Sequence, residues 1–172
     1  MPETLRSLFP AAADLLALSA DALAPFLLRV AKDQQVRNGG MFWPEPAMLI
    51  GGTTITGEPG DYPIQTKNEV ERLVQETLDT LQRDGFIGSA PGQNGRNGYM
   101  VVTRSGQEAS ASNEAFERIR AAKAFPKSLL HPTIADGVWS ALVHGDLDEA
   151  VFKSFKAVEE AVRRRALQAA LP

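Results

Sequence analysis

Apolar side chains recur at helical spacing through most of this chain and gather as paired short strands in only one place. Leu23, Phe26, Leu27 and Val30 lie on one helical face. Ser19 is placed to cap that helix, with Asp21 in its first turn, where a carboxylate suits the helix dipole. Pro25 predicts that the helix starts near it or bends there. A stronger periodicity comes next in Val70, Leu73, Val74, Thr77, Leu78 and Leu81. Thr66 and Glu69 have capping-box spacing and predict its start, and Gly85 predicts a left-handed stop. Phe86–Ile87 and Tyr99–Val102 then read as two strands of a hairpin. The tip between them, PGQNGRN, is expected to hold no regular structure. Thr103 caps a short turn.

Helices resume at Ser112, whose segment runs through Phe116, Ile119 and Arg120 and ends before Pro126. Pro132 suits a helix start, with Ile134, Val138, Trp139, Leu142 and Val143 as the apolar face and Gly145 as the stop. Asp146 caps a last helix with apolar positions Leu147, Ala150, Val151, Phe155, Val158, Ala161, Val162 and Leu167. Between the first two helices, residues 36–63 are dense in Gly and Pro. A loop of that length is uncommon in a compact domain, so a short helix or strand is expected around Pro46–Ile50. Met41, Phe42 and Trp43 within it either fill the core from the loop or form an exposed docking patch.

These elements imply a fold class that is mainly α with a small β-hairpin. Residues 1–110 have winged-helix-like order, and residues 111–172 form a helical segment near the lower size limit for a core of its own. The 172 residues are 44% hydrophobic and 23% charged, which is ordinary globular composition, and no apolar run is long enough to span a bilayer. The N-terminal apolar run is broken by Asp14 and lacks a basic flank, a poor match to a secretory signal, so cytoplasm is the expected compartment. With no cysteine, disulfide frameworks and thiolate metal sites are excluded.

Charge complicates the hairpin. A wing touching nucleic acid needs cations to neutralise phosphates. Residues 1–111 carry 9 Lys and Arg against 13 Asp and Glu, whereas residues 112–172 carry 9 against 8. The half with the wing is the acidic half. The candidate contacts are Lys67, Asn68 and Arg72 on the helix before the hairpin, Gln93, Arg96 and Asn97 on the tip, and Arg104 behind it. DNA or RNA is one expected ligand class. Protein contact or self-association is the other, with Phe42, Trp43, Arg163 and Arg164 as candidate interaction residues.

The run LLHPTIADGVWSALVHGDLDEAVFKSFKAVEEAVR resembles the Ymh-type conserved-hypothetical family of prokaryotes. Leu130, His131, Pro132, Gly145, Asp146, Ala150, Val151, Phe152, Phe155, Lys156, Val158, Glu159, Val162 and Arg163 carry the likeness. Leu147 stands where that family usually has an aromatic residue. The upstream Arg-Asp-Gly and Val-Thr-Arg-Ser-Gly runs are similar to the N-terminal part of the same proteins. The resemblance implies a HEPN-like helical domain, a class often dimeric and often RNA-cleaving in phage defence. The Arg-polar-His run of such nucleases is not found before Pro172, so the chain is expected to be a truncated form or a fragment. Any ribonuclease site would then lie beyond it.

No catalytic residue, metal or cofactor is assigned. His131 reads as a turn or cap residue and His144 as a cation at a helix C-terminus, and two isolated histidines do not make a metal site. Glu159 with Arg163, and Glu160 with Arg164, are pairs spaced for one helix face, either solvated or facing a cleft in a larger bundle. Arg163–Arg165 complement a helix C-terminus or face RNA.

Overall fold

The computed structural model describes residues 3–51, 62–125, 127–144 and 146–169. The chain forms two compact units, divided after Phe116. This division lies six residues beyond the expected boundary at residue 110 and within one helix, Asn113–Ala124. The physical reason is that Ala115 and Phe116 are buried, with the Phe116 ring 4.9 Å from that of Phe86.

The first unit opens on two short helices that periodicity does not announce, α1 (Leu5–Leu8) and α2 (Ala12–Leu16). Thr4 and Ser7 close a reciprocal cap on α1, and Leu5 and Leu15 are fully buried. Next, α3 (Ala20–Arg37) starts where expected, with Ser19 Oγ accepting the Ala22 N–H at 3.2 Å. It runs through Pro25, whose ring lies among its buried residues. Helix α4 (Pro46–Ile50) occupies the expected place in the Gly- and Pro-rich stretch; residues 52–61 of that stretch lie outside the described residues.

Helix α5 (Ile64–Arg83) begins earlier than the capping box predicts. Pro63 sits at its cap, and the Thr66 hydroxyl donates back to the Pro63 carbonyl at 3.0 Å instead of accepting an amide. Tyr62, just before it, donates to the Phe9 carbonyl and lies under Arg6 at 4.8 Å; burial pushes its phenol up from the ordinary value. Val70, Val74, Thr77, Leu78 and Leu81 are buried, as the spacing predicts. At the far end Phe86 N–H reaches the Leu81 carbonyl and Gly85 N–H the Gln82 carbonyl, with Gly85 at φ +70°. That double closure is the glycine stop the sequence predicts.

The hairpin pairs β1 (Ile87–Ser89) with β2 (Met100–Val102) antiparallel, Gly88 opposite Val101. Between them the tip is not irregular: α6 (Gly92–Arg96) makes a helical turn. Ala90 N–H to Tyr99 O (2.8 Å), Tyr99 N–H to Asn94 O (3.0 Å) and Asn97 N–H to Gln93 O (3.0 Å) supply the backbone bonds that proline and glycine content argued against. The outer margin of β2 is also satisfied. Phe42 exchanges two backbone bonds with Met100, and the Gln35 side chain of α3 accepts the Val102 N–H. After β2, α7 (Arg104–Ala109) is capped by Thr103, whose Oγ1 accepts the Gly106 N–H at 3.2 Å. The Lys32 ammonium of α3 donates to Ser110 Oγ at 2.9 Å and ties the two together. Helix α8 (Asn113–Ala124) begins beside Ser112, which accepts the Ala115 N–H.

In the second unit, α9 (Pro132–His144) packs against α10 (Leu147–Ala169). Val138, Ala141 and Ala150 are its buried core, with Leu130, Ile134 and Leu142 packed around them. Lys127, in the turn before α9, bonds Asp136 at 2.5 Å and holds that carboxyl below the usual range. Gly145 and the side chains of Val143 and Leu167 lie outside the described residues.

Candidate nucleic-acid interface

Three of the seven candidate contacts come together on the tip. Gln93, Arg96 and Asn97 sit on or directly after α6, all exposed. Gln93 Nε2 donates to Asn97 Oδ1 at 3.2 Å, so these two amides are partly engaged with each other. Arg96 forms no hydrogen bond or ion pair with any described residue. Among the described residues its charge has no counter-charge, and it stands on a tip that backbone hydrogen bonds hold in shape. Behind the tip, Tyr99 meets Trp43 edge-to-face at 4.9 Å.

Lys67, Asn68 and Arg72 lie in the first half of α5. Lys67 faces Glu71 at 3.9 Å and Arg72 faces Glu76 at 3.9 Å. Gln75 donates to Asp79 at 2.9 Å. The charged residues exposed on α5 are Glu69, Arg72, Glu76, Asp79 and Arg83, two cations among three carboxylates. Against a phosphate backbone this set repels more than it attracts. Arg104, on α7, is exposed and pairs with Glu108 at 3.4 Å. Exposed pairs of this kind are worth little and exchange readily for a phosphate.

The docking patch expected around Phe42 needs correction. Phe42 is fully buried, because its backbone is bonded to Met100 and its side chain faces the core. Trp43, 39% exposed, is the one of the pair at the surface. Arg163 and Arg164 belong to the second unit: Arg163 pairs with Glu159 at 2.7 Å and Arg164 Nε donates to the Glu160 carbonyl at 3.3 Å. Both histidines are occupied locally. His131 Nδ1 accepts the Thr133 N–H at 3.3 Å, and His144 Nδ1 bonds the Ser140 carbonyl at 2.6 Å. Among the described residues no group of three His, Asp or Glu could hold a metal ion, and no helix is long and apolar enough to cross a membrane.

Sequence reasoning passed over Arg6 and Arg29. Each lies over an aromatic ring, Tyr62 and Phe26 respectively, with one buried nitrogen that has no hydrogen-bond partner among the described residues. Nothing in local spacing announces the Arg6 contact, since Tyr62 is 56 residues from Arg6 in the chain. The chain matches no family model, no curated protein and no solved structure.

Proposed function

We propose that the first unit is a winged-helix-like, nucleic-acid-contacting module of a prokaryotic defence- or mobile-element-associated protein, and that its contact is led by the hairpin tip. The element order supports the reading: a helix (α3), a single bridged position at Phe42, a short helix (α4), a long helix (α5), then two strands around a tip. Phe42 adds its bridge to the margin of β2 opposite β1, as the first strand of such a domain does. The observation that carries the proposal is Arg96, exposed, without a counter-charge among the described residues and fixed on a closed tip. The carboxylates of α5 argue against deep insertion of that helix into a groove, so specificity from α5 is not part of the reading.

The test is titration of a labelled DNA duplex and a labelled RNA hairpin at low ionic strength. Arg96→Ala is expected to weaken binding several-fold and to reduce the slope of log K against log salt by about one. Asn68→Ala, on α5, is expected to change neither. A loss with Asn68→Ala equal to that with Arg96→Ala would move the contact to the helix. Absence of binding to either probe at low salt would remove the proposal.

A further inference from the structure

The last helix carries an apolar face that its own unit does not cover. On α10, Val151, Phe155, Val158 and Val162 are each between 55% and 71% exposed. Ala150, on the side packed against α9, is buried. Leu147 and Phe152 of α10 are exposed to the same degree as those four. Val151, Phe155, Val158 and Val162 have a spacing of four, three and four residues, which keeps these four on one seam roughly 100° around the helix from the α9 contact. A seam of that period is the pattern by which one helix packs along another.

The charges at the two ends of the seam identify the occupant. Continuing the same period outward by three residues reaches Asp148 at one end and Arg165 at the other. Neither forms an ion pair or hydrogen bond with any described residue, whereas their neighbours do: Glu149 bonds Lys153 at 2.8 Å and Glu159 bonds Arg163 at 2.7 Å. Lys153 holds the Glu149 carboxyl below its usual range, so that charge is already committed. In an antiparallel pair of identical helices, Val151 of one chain lies opposite Val162 of the other and Phe155 opposite Val158. In the same register Asp148 meets Arg165 at both ends. A parallel pair would instead set Asp148 on Asp148 and Arg165 on Arg165.

We infer that the exposed α10 seam is a homodimer interface, in which two copies of this chain pair antiparallel through Val151, Phe155, Val158 and Val162 and lock at each end by Asp148 with Arg165. The surface is self-complementary under a two-fold axis, the requirement for an isologous contact. From Asp148 to Arg165 it spans roughly 26 Å at helical rise. A foreign partner would place no such condition on the chain's own two ends.

Sedimentation equilibrium of the full chain tests this, with circular dichroism confirming that each variant keeps its helices. The wild-type chain is expected to be a dimer at about 50 μM, and Phe155→Asp a monomer there. Asp148→Arg alone and Arg165→Asp alone should each weaken the dimer at least tenfold, since each creates like-charge contacts at both ends. An equimolar mixture of those two variants should recover association, because each end then joins opposite charges, and the double variant should recover it likewise. A monomeric wild type at that concentration would overturn the inference, as would a dimer indifferent to Phe155→Asp. Single reversals without effect, or a mixture that fails to associate, would overturn the antiparallel register. If Phe155→Asp loses helicity, the exposed charge variants and their mixture still decide the matter.

Discussion

Phe116→Ala is expected to destabilise the first unit by about 3–5 kcal/mol, the usual loss when a buried aromatic side chain leaves a cavity. Phe116 is 1% exposed, and its ring lies against that of Phe86 at the point where α5 ends and β1 begins. Removing it opens the side of the core that supports the hairpin. Urea unfolding tracked by tryptophan fluorescence reads the change, because Trp43 sits against Tyr99 at the foot of the tip. A lower midpoint with unchanged slope is the expected result. An unchanged midpoint would return the boundary of the first unit to residue 110 and assign α8 wholly to the second.

Gly106→Ala should be as damaging, although helix propensity alone predicts the opposite sign. Glycine inside a helix is usually improved by alanine, by about 1 kcal/mol. Here a Cβ would stand 2.1 Å from the Phe86 carbonyl oxygen and 2.8 Å from Val102 Cγ1. That carbonyl already accepts the Thr103 N–H at 2.9 Å and the Thr103 hydroxyl at 3.1 Å, so it is not free to move. Relief requires α7 to lift from the strands, and a loss of about 3 kcal/mol or more is expected from such a backbone clash. Ser105→Ala and Gln107→Ala, on the same short helix, serve as controls and should cost much less. Thermal unfolding of the three variants separates the cases, and a Gly106→Ala chain as stable as wild type would mean that α7 is loosely held.

These two sites show where sequence reading stops. Ser19, Thr103, Ser112 and Gly85 are legible because caps and stops depend on residues three to five apart. The core face of α5 is legible because burial there keeps to one helical period. The start of α5 is not, since Pro63 takes the cap and Thr66 turns back to it. Nor is the helical turn of the tip, where bonds from Ala90 and Tyr99 across the hairpin outweigh the local cost of its glycines. Phe42 divides the two kinds of information: its hydrophobicity is consistent with core or contact, and only the pairing with Met100, 58 residues on, selects core. For α10 the period is legible but its meaning is not, because spacing shows a face without showing what lies against it. Of the candidate site, the residue types are readable in the sequence. Which cations pair with a carboxylate, Lys67, Arg72, Arg104 and Arg163, and that Arg96 meets none among the described residues, depends on how the side chains lie in space.

The margin of β2 bears on how copies of this chain meet during folding. A two-stranded sheet ordinarily leaves a row of open backbone groups that can recruit another chain's strand and seed aggregates. Here Gln35 supplies the acceptor that Val102 needs, and Phe42 occupies Met100, so a helical side chain and one extended residue take the place of a whole strand. With α3 docked, the margin of the hairpin is passivated. Replacing Gln35 with leucine should leave the Val102 amide open to solvent exchange and turn a quiet margin into a template for misassembly.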